Sequence, residues 1–571
     1  MNSLDIFILF GTLFTIVAYG VWKTRNSKGI EGYLRGDGTM KWGAIGLSVM
    51  ATQASAITFI STPGQAYESG MGFVQNYLGL PLALIIVSAV FIPIFYKLKV
   101  YTAYEFLESR FDLKTRLLGA FLFLLQRGLA AGITIYAPAI IISTILKWDL
   151  TLTILLVGVL VIVYTYSGGT KAVSLTQKHQ MAVILIGMLS AFGIMLYYLA
   201  EYVTFGEALT IAGSLGKLEA IDFDFSPEKR YTVWTGLTGG LFLALSYFGT
   251  DQSQVQRYIG GKNVTESRMG LIFNAVLKIP MQFFILLVGV MLYVFYIFYT
   301  PPLHFNQQSV ILVENSDQAA LIRQIESNHN TLVEKREELA LALPKYQTEF
   351  EGSFLNEVHK GRLQYYDNRI RSVRLSFKAI LESQSPGINV KDSDYVFLTF
   401  ILTYLPHGLI GLLIAVIFSA AMSSTSSEIN SLASTTAIDF YKRVFRKDRN
   451  DDHYLKVSKM LTLGWGVIAI IFAIIANSAE NLIEAVNIIG SIFYGTILGI
   501  FLVAFFFKRV NGTSVFFGAL IAESLVITCH FLNEMEYIDL GYLWYNAIGL
   551  AATILVSMFL QLFMKKQREE I

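Results

Sequence analysis

Residues Ala420 to Asn430 read Ala-Ala-Met-Ser-Ser-Thr-Ser-Ser-Glu-Ile-Asn, and this stretch decides the fold class of the chain. It follows an apolar run, Leu409 to Phe418, so its hydroxyls belong to a helix that has already entered a bilayer. One face of that helix carries four polar side chains at spacing i, i+3, i+4 and i+7: Ser423, Ser426, Ser427 and Asn430. Ala420 lies one turn earlier on the same side, where a local distortion would free its carbonyl oxygen.

Two interpretations fit this stretch. Small residues whose hydroxyls bond back to carbonyls four residues earlier serve close helix packing. Neutral oxygens that converge at membrane depth instead suit a hard, weakly bound cation such as Na⁺. The run of consecutive hydroxyl residues from Ser423 to Ser427, together with an interrupted partner helix, favours the ion.

The composition describes an all-α polytopic membrane protein. The 571 residues are 54% hydrophobic and the mean hydropathy is +0.53, which excludes an ordinary soluble globular chain. The formal net charge of +2 says nothing about partners, and we expect no nucleic-acid partner. The single cysteine, Cys529, excludes a disulfide framework and a cysteine-based metal site. Residues 4–22 look like a retained helix rather than a cleaved signal.

Apolar runs of about 20 residues predict about 13 transmembrane helices. Basic loops, such as residues 97–116 and 442–456, fall on one side if the N-terminus is outside and the C-terminus inside. Both Asn-x-Thr sequons then lie inside, which agrees with a multi-pass protein of a bacterial inner membrane. The predicted spans are 4–22, 42–69, 77–97, 117–146, 150–168, 177–203, 233–258, 268–300, 407–442, 453–476, 481–507, 513–532 and 541–563.

Two of these spans are interrupted by polar residues. Residues 51–64 hold Thr52, Gln53, Ser55 and Thr58 ahead of a Pro-Gly pair, which indicates a discontinuous helix rather than an ordinary proline kink. Residues 246–252 interrupt a second span about five spans later, as two inverted five-helix repeats predict. By contrast, residues 303–392 are polar and charged, and they predict an extracellular helical hairpin, either a solvated cap or a lid.

Four motifs carry a family resemblance. They are Ala-x-x-Ala-Ser-Ala-Ile-Thr from Ala51, Tyr-Ala-Pro-Ala from Tyr136, Asp-Gln-x-x-Val-Gln-Arg from Asp251, and the core around Ala420 and Ser423. With them the chain resembles the sodium/solute symporters, the family of the sodium/galactose, sodium/iodide and sodium/multivitamin transporters. The resemblance implies a LeuT-type fold with this organisation: N-terminal helix and loop (1–40), first repeat and start of the second (41–302), hairpin (303–392), remainder of the second repeat (393–510) and two C-terminal helices (511–571).

The resemblance also implies where ion and solute bind. The sodium ligands would be the carbonyls of Ala51, Ala54 and Ala420 and the hydroxyls of Ser423 and Ser424. The implied solute-binding positions are Gln53, Ser55, Thr58, Tyr77, Tyr247, Phe248, Lys278 and Asn487. Where the galactose transporter reads its sugar, this chain has Tyr77, Leu80 and Ala244, so a galactose assignment fails residue by residue.

Some family members hold a second sodium through an aspartate and hydroxyls that match Ser426 and Ser427. Here Gln177 replaces that aspartate, and an amide brings no counter-charge for a buried cation. We therefore expect one coupled Na⁺ per solute, with Gln177 bonded to the helix that carries the serines.

Three charged residues lie inside predicted spans. Arg127 could pair with an anionic solute or extend to the inner membrane surface. We expect Asp251 to be structural, bonded to Arg257 or to a backbone turn. Glu428 is expected to face the inner vestibule in a structural role.

Together these features predict a sodium-coupled symporter of a small solute, a monomer or weak oligomer in a lipid bilayer. Organic anions, sugars, sugar acids and vitamin-like anions remain open as solutes. The alternative is a solute sensor that keeps the transporter fold, and histidines and cysteine form no set that would suggest an enzyme.

Overall fold

The structure is a computed structural model that describes residues 2–24, 38–314, 318–350, 352–384, 390, 392–475 and 482–564. These residues form helices and no β-strand, apart from an isolated bridge between Met40 and Gly261. In the described part, nine helical segments are long and apolar enough to cross a membrane, and three shorter apolar segments accompany them. Each predicted span overlaps one of these segments, so the all-α membrane architecture is confirmed while the number of crossings stays a prediction.

The α-helices run over Ser3–Thr24, Trp42–Gln53, Ala56–Ser69, Leu80–Ile86, Ile92–Leu98, Glu105–Arg110, Leu113–Leu146, Leu150–Leu199, Phe205–Ser214, Val233–Thr235, Leu241–Gly249, Gln252–Ile259, Val264–Phe298, Gln307–Glu314, Ala319–Glu349, Phe354–Gln384, Val396–Tyr404, Leu409–Thr435, Asp451–Ile475, Leu482–Phe506, Gly512–Glu534 and Trp544–Phe563. Wider turns lie at Val87–Phe91, Gly236–Gly240 and Thr436–Phe445, and tighter ones at Gly70–Tyr77 and Ser393–Tyr395.

The helix Leu409–Thr435, called the serine helix below, lies at the centre of the molecule. Nearly all of its side chains are buried, including those of its hydroxyl residues. It packs against Leu113–Leu146, Leu150–Leu199 and the first helix. Asp5 of that first helix accepts the N–H of Gly408 at 2.6 Å, where the serine helix begins.

The first predicted interruption is present, but it lies earlier than the Pro-Gly pair suggested. The broken helix consists of Trp42–Gln53 and Ala56–Ser69, and Ala54 between them has φ −85° and ψ 71°. Pro63 lies inside the second half. Its neighbour Gly64 touches the carbonyl of Ser393, which a Cβ would meet at 2.0 Å. The glycine therefore serves close packing, not the break.

Of two other regions, one has the structure that the sequence predicts and the other does not. The second interruption is confirmed between Leu241–Gly249 and Gln252–Ile259. Where two spans were predicted at 150–168 and 177–203, the structure has a single helix, Leu150–Leu199. A straight helix of that length would measure about 75 Å, over twice the hydrocarbon thickness. Its first part contacts Asp451–Ile475 and its second part the serine helix, so each part still accounts for one span.

The predicted hairpin forms from two antiparallel helices, Ala319–Glu349 and Phe354–Gln384, and it is docked rather than freely solvated. Arg336 is 3% exposed, pairs with Asp367 at 2.9 Å and donates to the carbonyl of Tyr296 at 2.9 Å. Tyr293, on the same long helix as Tyr296, donates to Asp367. The hairpin therefore caps the end of the helix Val264–Phe298.

A short turn, Ser393–Tyr395, follows the hairpin in the chain and packs against the second half of the broken helix. Just before it, Asp392 pairs with Arg374 at 2.6 Å and Lys378 at 2.7 Å. Burial alone would raise the pKa of the Asp392 carboxyl, but these two cations hold it below its usual range. Asp394 bonds to Ser61 of the broken helix and to the backbone of Leu482, and burial raises the pKa of its carboxyl to about 7.

Candidate solute and sodium sites

The break in the broken helix exposes backbone oxygens. Because Trp42–Gln53 ends at the break, the carbonyls of its last turn lose partners in the same helix. The carbonyl of Ala51 belongs to that turn, and that of Ala54 lies in the break itself. Thr58 closes the other side, with its N–H donating to the carbonyl of Ser55 at 3.0 Å. The break thus places two implied sodium ligands beside two implied solute residues.

The serine helix faces both halves of the broken helix. The hydroxyl of Ser424 donates to the carbonyl of Ala420 at 3.0 Å, and Ser427 donates to that of Ser423 at 2.9 Å. These are the back-bonds of the packing interpretation. The hydroxyls of Ser423 and Ser426 are buried without a hydrogen-bond partner in the described structure. Oxygens open to a cation therefore coexist with packing contacts on one helix face.

Gln177 occupies the gap between the broken helix and the serine helix. Its amide oxygen accepts from Ser48 at 2.6 Å, and its amide nitrogen donates to Thr52 at 3.1 Å and Ser427 at 3.4 Å. Both ends of the amide are therefore engaged by neighbouring side chains. The predicted bond from Gln177 to the serine helix is therefore present.

A buried cavity opens beside the break. All nine side chains predicted to meet solute line it, and so do Leu80 and Ala244, the positions at which the chain departs from the galactose reader. The nine are Gln53, Ser55, Thr58, Tyr77, Arg127, Tyr247, Phe248, Lys278 and Asn487. The five implied sodium ligands do not line this cavity in the described structure. They are buried in the adjacent helix interface: Ala51, Ala54, Ala420, Ser423 and Ser424.

Several polar atoms of the cavity wall have no protein partner in the described structure. They are the side-chain oxygens of Gln53 and Asn76 and the amide nitrogen of Asn487. Lys278 is 1% exposed and, among the described residues, forms no ion pair. Buried groups of this kind are costly unless something binds them. Asn76 was not singled out from the sequence, because nothing local marks a lone asparagine in a turn as facing a cavity.

Arg127 lies buried on the cavity wall, and two of the three nitrogens of its guanidinium pair with carboxylates. It is 2% exposed and pairs with Asp251 and, at 3.1 Å, with Glu428. Tyr494 lies 2.6 Å from the same guanidinium and donates to Asp251 at 2.9 Å. The ring of Tyr247 stacks on it, 5.3 Å away. The snorkelling alternative is wrong, and an incoming anion would meet a guanidinium already paired with two carboxylates.

The two carboxylates that pair with Arg127 are Asp251 and Glu428. Asp251 caps the helix Gln252–Ile259 by accepting the N–H of Ser253 at 2.8 Å, so the predicted backbone turn is present. Its cationic partner is Arg127, not the predicted Arg257. Glu428 lines the cavity and pairs with Arg127. These pairings join residues between 124 and 301 positions apart, so no local pattern announces them.

A polytopic helical protein with two interrupted helices beside a cavity that carries several polar and charged side chains has the architecture of a membrane solute transporter. The chain belongs to the sodium:solute symporter family, whose profile matches residues 33–327 and 377–522. The predicted family is thereby confirmed, as are sodium coupling and a transport rather than enzymatic role. Residues 328–376, which separate the two matched stretches, lie within the hairpin.

Three comparisons show how closely the chain follows known proteins. It is 27% identical over 569 residues to the sodium/sialic acid symporter of Proteus mirabilis, covering 97% of this chain and 94% of that one. It is 26% identical over 523 residues to the sodium-coupled monocarboxylate transporter 2 of Bos taurus, covering 90% and 70%. The solved substrate-bound outward-open state of a Na⁺-coupled sialic acid symporter matches with a TM-score of 0.74 and 25% identity, covering 99% of each chain.

Proposed function

We propose that this chain imports a small organic anion together with Na⁺, and that Lys278 holds the anionic group. The observation that carries the proposal is the buried ammonium of Lys278, which lines the cavity without an ion-pair partner in the described structure. A buried charge is costly unless it is compensated, and a carboxylate on the solute would compensate this one. The sialic acid and monocarboxylate relatives take acids by name, which supports the same class.

Sodium would bind where the broken helix meets the serine helix. The donor set is the carbonyls of Ala51, Ala54 and Ala420 and the hydroxyls of Ser423 and Ser424. Neutral oxygens of this kind suit Na⁺, and the open hydroxyl of Ser423 fits a cation ligand. Ala54 adjoins the solute-lining Gln53 and Ser55, so an ion that orders the break also orders part of the solute site. That shared break is our mechanism of coupling.

The membrane arrangement follows from the same proposal. About thirteen helices, ten of them in two inverted five-helix repeats, would place the hairpin outside and the C-terminus inside, in a bacterial inner membrane. One Na⁺ that moves inward, down an inside-negative potential of 100 mV, supplies roughly 2.3 kcal/mol. Rocking of one repeat against the other around the central site would expose the cavity to each side in turn.

Uptake into proteoliposomes tests the proposal. With an inward Na⁺ gradient, labelled sialic acid or another organic acid of a panel should accumulate, and replacing Na⁺ by K⁺ should abolish accumulation. Counterflow of labelled solute would separate a transporter from a protein that only binds. Accumulation of a neutral sugar, with none of the acids transported, would contradict the anion assignment while leaving sodium coupling intact.

A further inference from the structure

The solute cavity carries opposite charges on different parts of its wall. The cluster of Arg127, Asp251 and Glu428 contains two carboxylates and one guanidinium, so its formal charge is −1 when all three are ionised. Lys278, when protonated, contributes +1 to the same cavity, and among the described residues it forms no ion pair with either carboxylate. The two poles therefore do not neutralise each other directly.

Only one of the carboxylates faces the cavity. Asp251 is 1% exposed and is enclosed by Arg127, Tyr494 and the N–H and hydroxyl of Ser253. Asp251 does not line the cavity, whereas Glu428 does. The unbalanced negative charge of the cluster is therefore presented to solute through Glu428.

The position of Glu428 is set by its neighbours. One carboxylate oxygen accepts from Arg127 at 3.1 Å, and the other accepts from the hydroxyl of Thr134 at 2.8 Å. Thr134 is itself held by Thr425 of the serine helix at 3.0 Å. A carboxylate fixed at both oxygens cannot turn away from an approaching anion.

We propose that Glu428 is a specificity-determining residue that selects solutes with a single negative charge. This inference rests on the proposed function. The solute's carboxylate lies toward Lys278, and its other end presents hydrogen-bond donors, such as hydroxyl, amide N–H or ammonium groups, toward Glu428. A second carboxylate at that end would meet a fixed like charge, and such repulsion is an effective means of rejecting wrong ligands.

A matched set of sugars tests the proposal. Galactose, galacturonate and galactarate share a six-carbon chain and carry charges of 0, −1 and −2 at neutral pH, and sialic acid is a second monoanion with hydroxyl and amide donors. Binding to the purified full-length protein in saturating Na⁺ is measured by calorimetry or thermal stabilisation. We expect at least one of the two monoanions to bind about tenfold or more tightly than galactarate and galactose.

The variants isolate the role of Glu428. Glu428→Gln should bring galactarate to within about threefold of galacturonate, because the amide removes the repulsion. Glu428→Asp should keep the discrimination. Glu523→Gln is the matched control, since Glu523 is a buried carboxylate that does not line the cavity, and it should leave the ratio unchanged.

Opposite results would overturn the proposal. If galactarate binds to the wild type as tightly as both monoanions, the proposal is wrong, even if Glu428→Gln does not fold. An unchanged ratio of galactarate to galacturonate affinity in folded Glu428→Gln would also contradict it. If galactose alone binds, both the charge filter and the anion assignment fail. If neither monoanion binds although the protein accumulates other acids, the charge selection proposed for Glu428 fails, whereas the anion assignment of the proposed function stands.

Discussion

Two buried ion clusters of this protein have opposite composition. In the cavity cluster, Arg127 meets Asp251 and Glu428, whereas in the hairpin cluster Asp392 meets Arg374 and Lys378. The cavity cluster is closed to solvent, with side-chain exposures of 0 to 7%. In the hairpin cluster, Lys378 is 19% exposed, so its excess charge is partly hydrated.

The difference teaches that burial and excess charge do not identify a functional site by themselves. The hairpin cluster fastens a cap, and the backbone N–H of Phe305 adds a further bond to Asp392 at 2.8 Å. The cavity cluster turns its unbalanced charge toward a space that a solute can enter. Function is therefore to be sought where an uncompensated group faces a cavity.

The largest effect is expected at Lys278, and Lys378 of the hairpin cluster is its control. Lys278→Met should weaken binding of an acidic solute by about a hundredfold or more, because the ion pair with the solute is lost. Lys378→Met, the same substitution in the hairpin cluster, should leave binding within about threefold. Equilibrium binding in saturating Na⁺ measures both variants. Equal losses of solute affinity would contradict the distinction between the cavity and the hairpin.

Stability should separate the clusters next. Arg127→Met leaves two buried carboxylates unpaired and should cost about 3–5 kcal/mol of stability. Arg374→Met leaves Lys378 beside Asp392 and should cost about 1–3 kcal/mol. Thermal unfolding of both variants in the same detergent orders them, and a milder loss for Arg127→Met would contradict our account of the cavity cluster.

Ser424→Ala addresses sodium rather than solute. Losing one oxygen from a site with few ligands should raise the Na⁺ concentration for half-maximal uptake about tenfold. Solute affinity at saturating Na⁺ should change little. Ser431→Ala, which removes a buried hydroxyl nearer the C-terminal end of the same helix, serves as the control. Unchanged sodium dependence in Ser424→Ala would exclude this serine from the site.

The turn Ser393–Tyr395 predicts a pH dependence of stability. Because burial raises the pKa of Asp394 to about 7, the folded protein binds more protons than the unfolded chain between the ordinary carboxyl value of 3.8 and that pH. Its contribution to stability is therefore greatest at acid pH and falls as pH rises through this window, by up to about 1.4 kcal/mol per unit. The melting temperature of the wild type should therefore fall as pH rises across this range, and that of Asp394→Asn should fall less.

The smallest effect is expected at Gln177. Since its amide is bonded to Ser48, Thr52 and Ser427, Gln177→Ala should loosen the two helices without changing one coupled Na⁺ per solute. Reversal potentials in proteoliposomes report the ratio. A ratio near two that is lost in the variant would mean that the amide serves a second ion.

The sequence by itself determined the membrane class, the family and both interrupted helices, and with the family resemblance it predicted nine of the side chains that line the cavity. Each of these has a local signal, since polar residues within apolar runs and short motifs can be read without knowing what lies opposite. It also predicted the hairpin helices, since their composition differs from the membrane spans.

Tertiary structure alone decided the partners. Arg127, Asp251 and Glu428 come from three helices far apart in the chain, so only folding shows that their charges are shared and that Glu428 faces the solute cavity. The exact break at Ala54 and the docking of the hairpin on Tyr293 and Tyr296 are likewise set by contacts across the fold. Charge balance and close packing are properties of neighbours in space, and a sequence lists only neighbours along the chain.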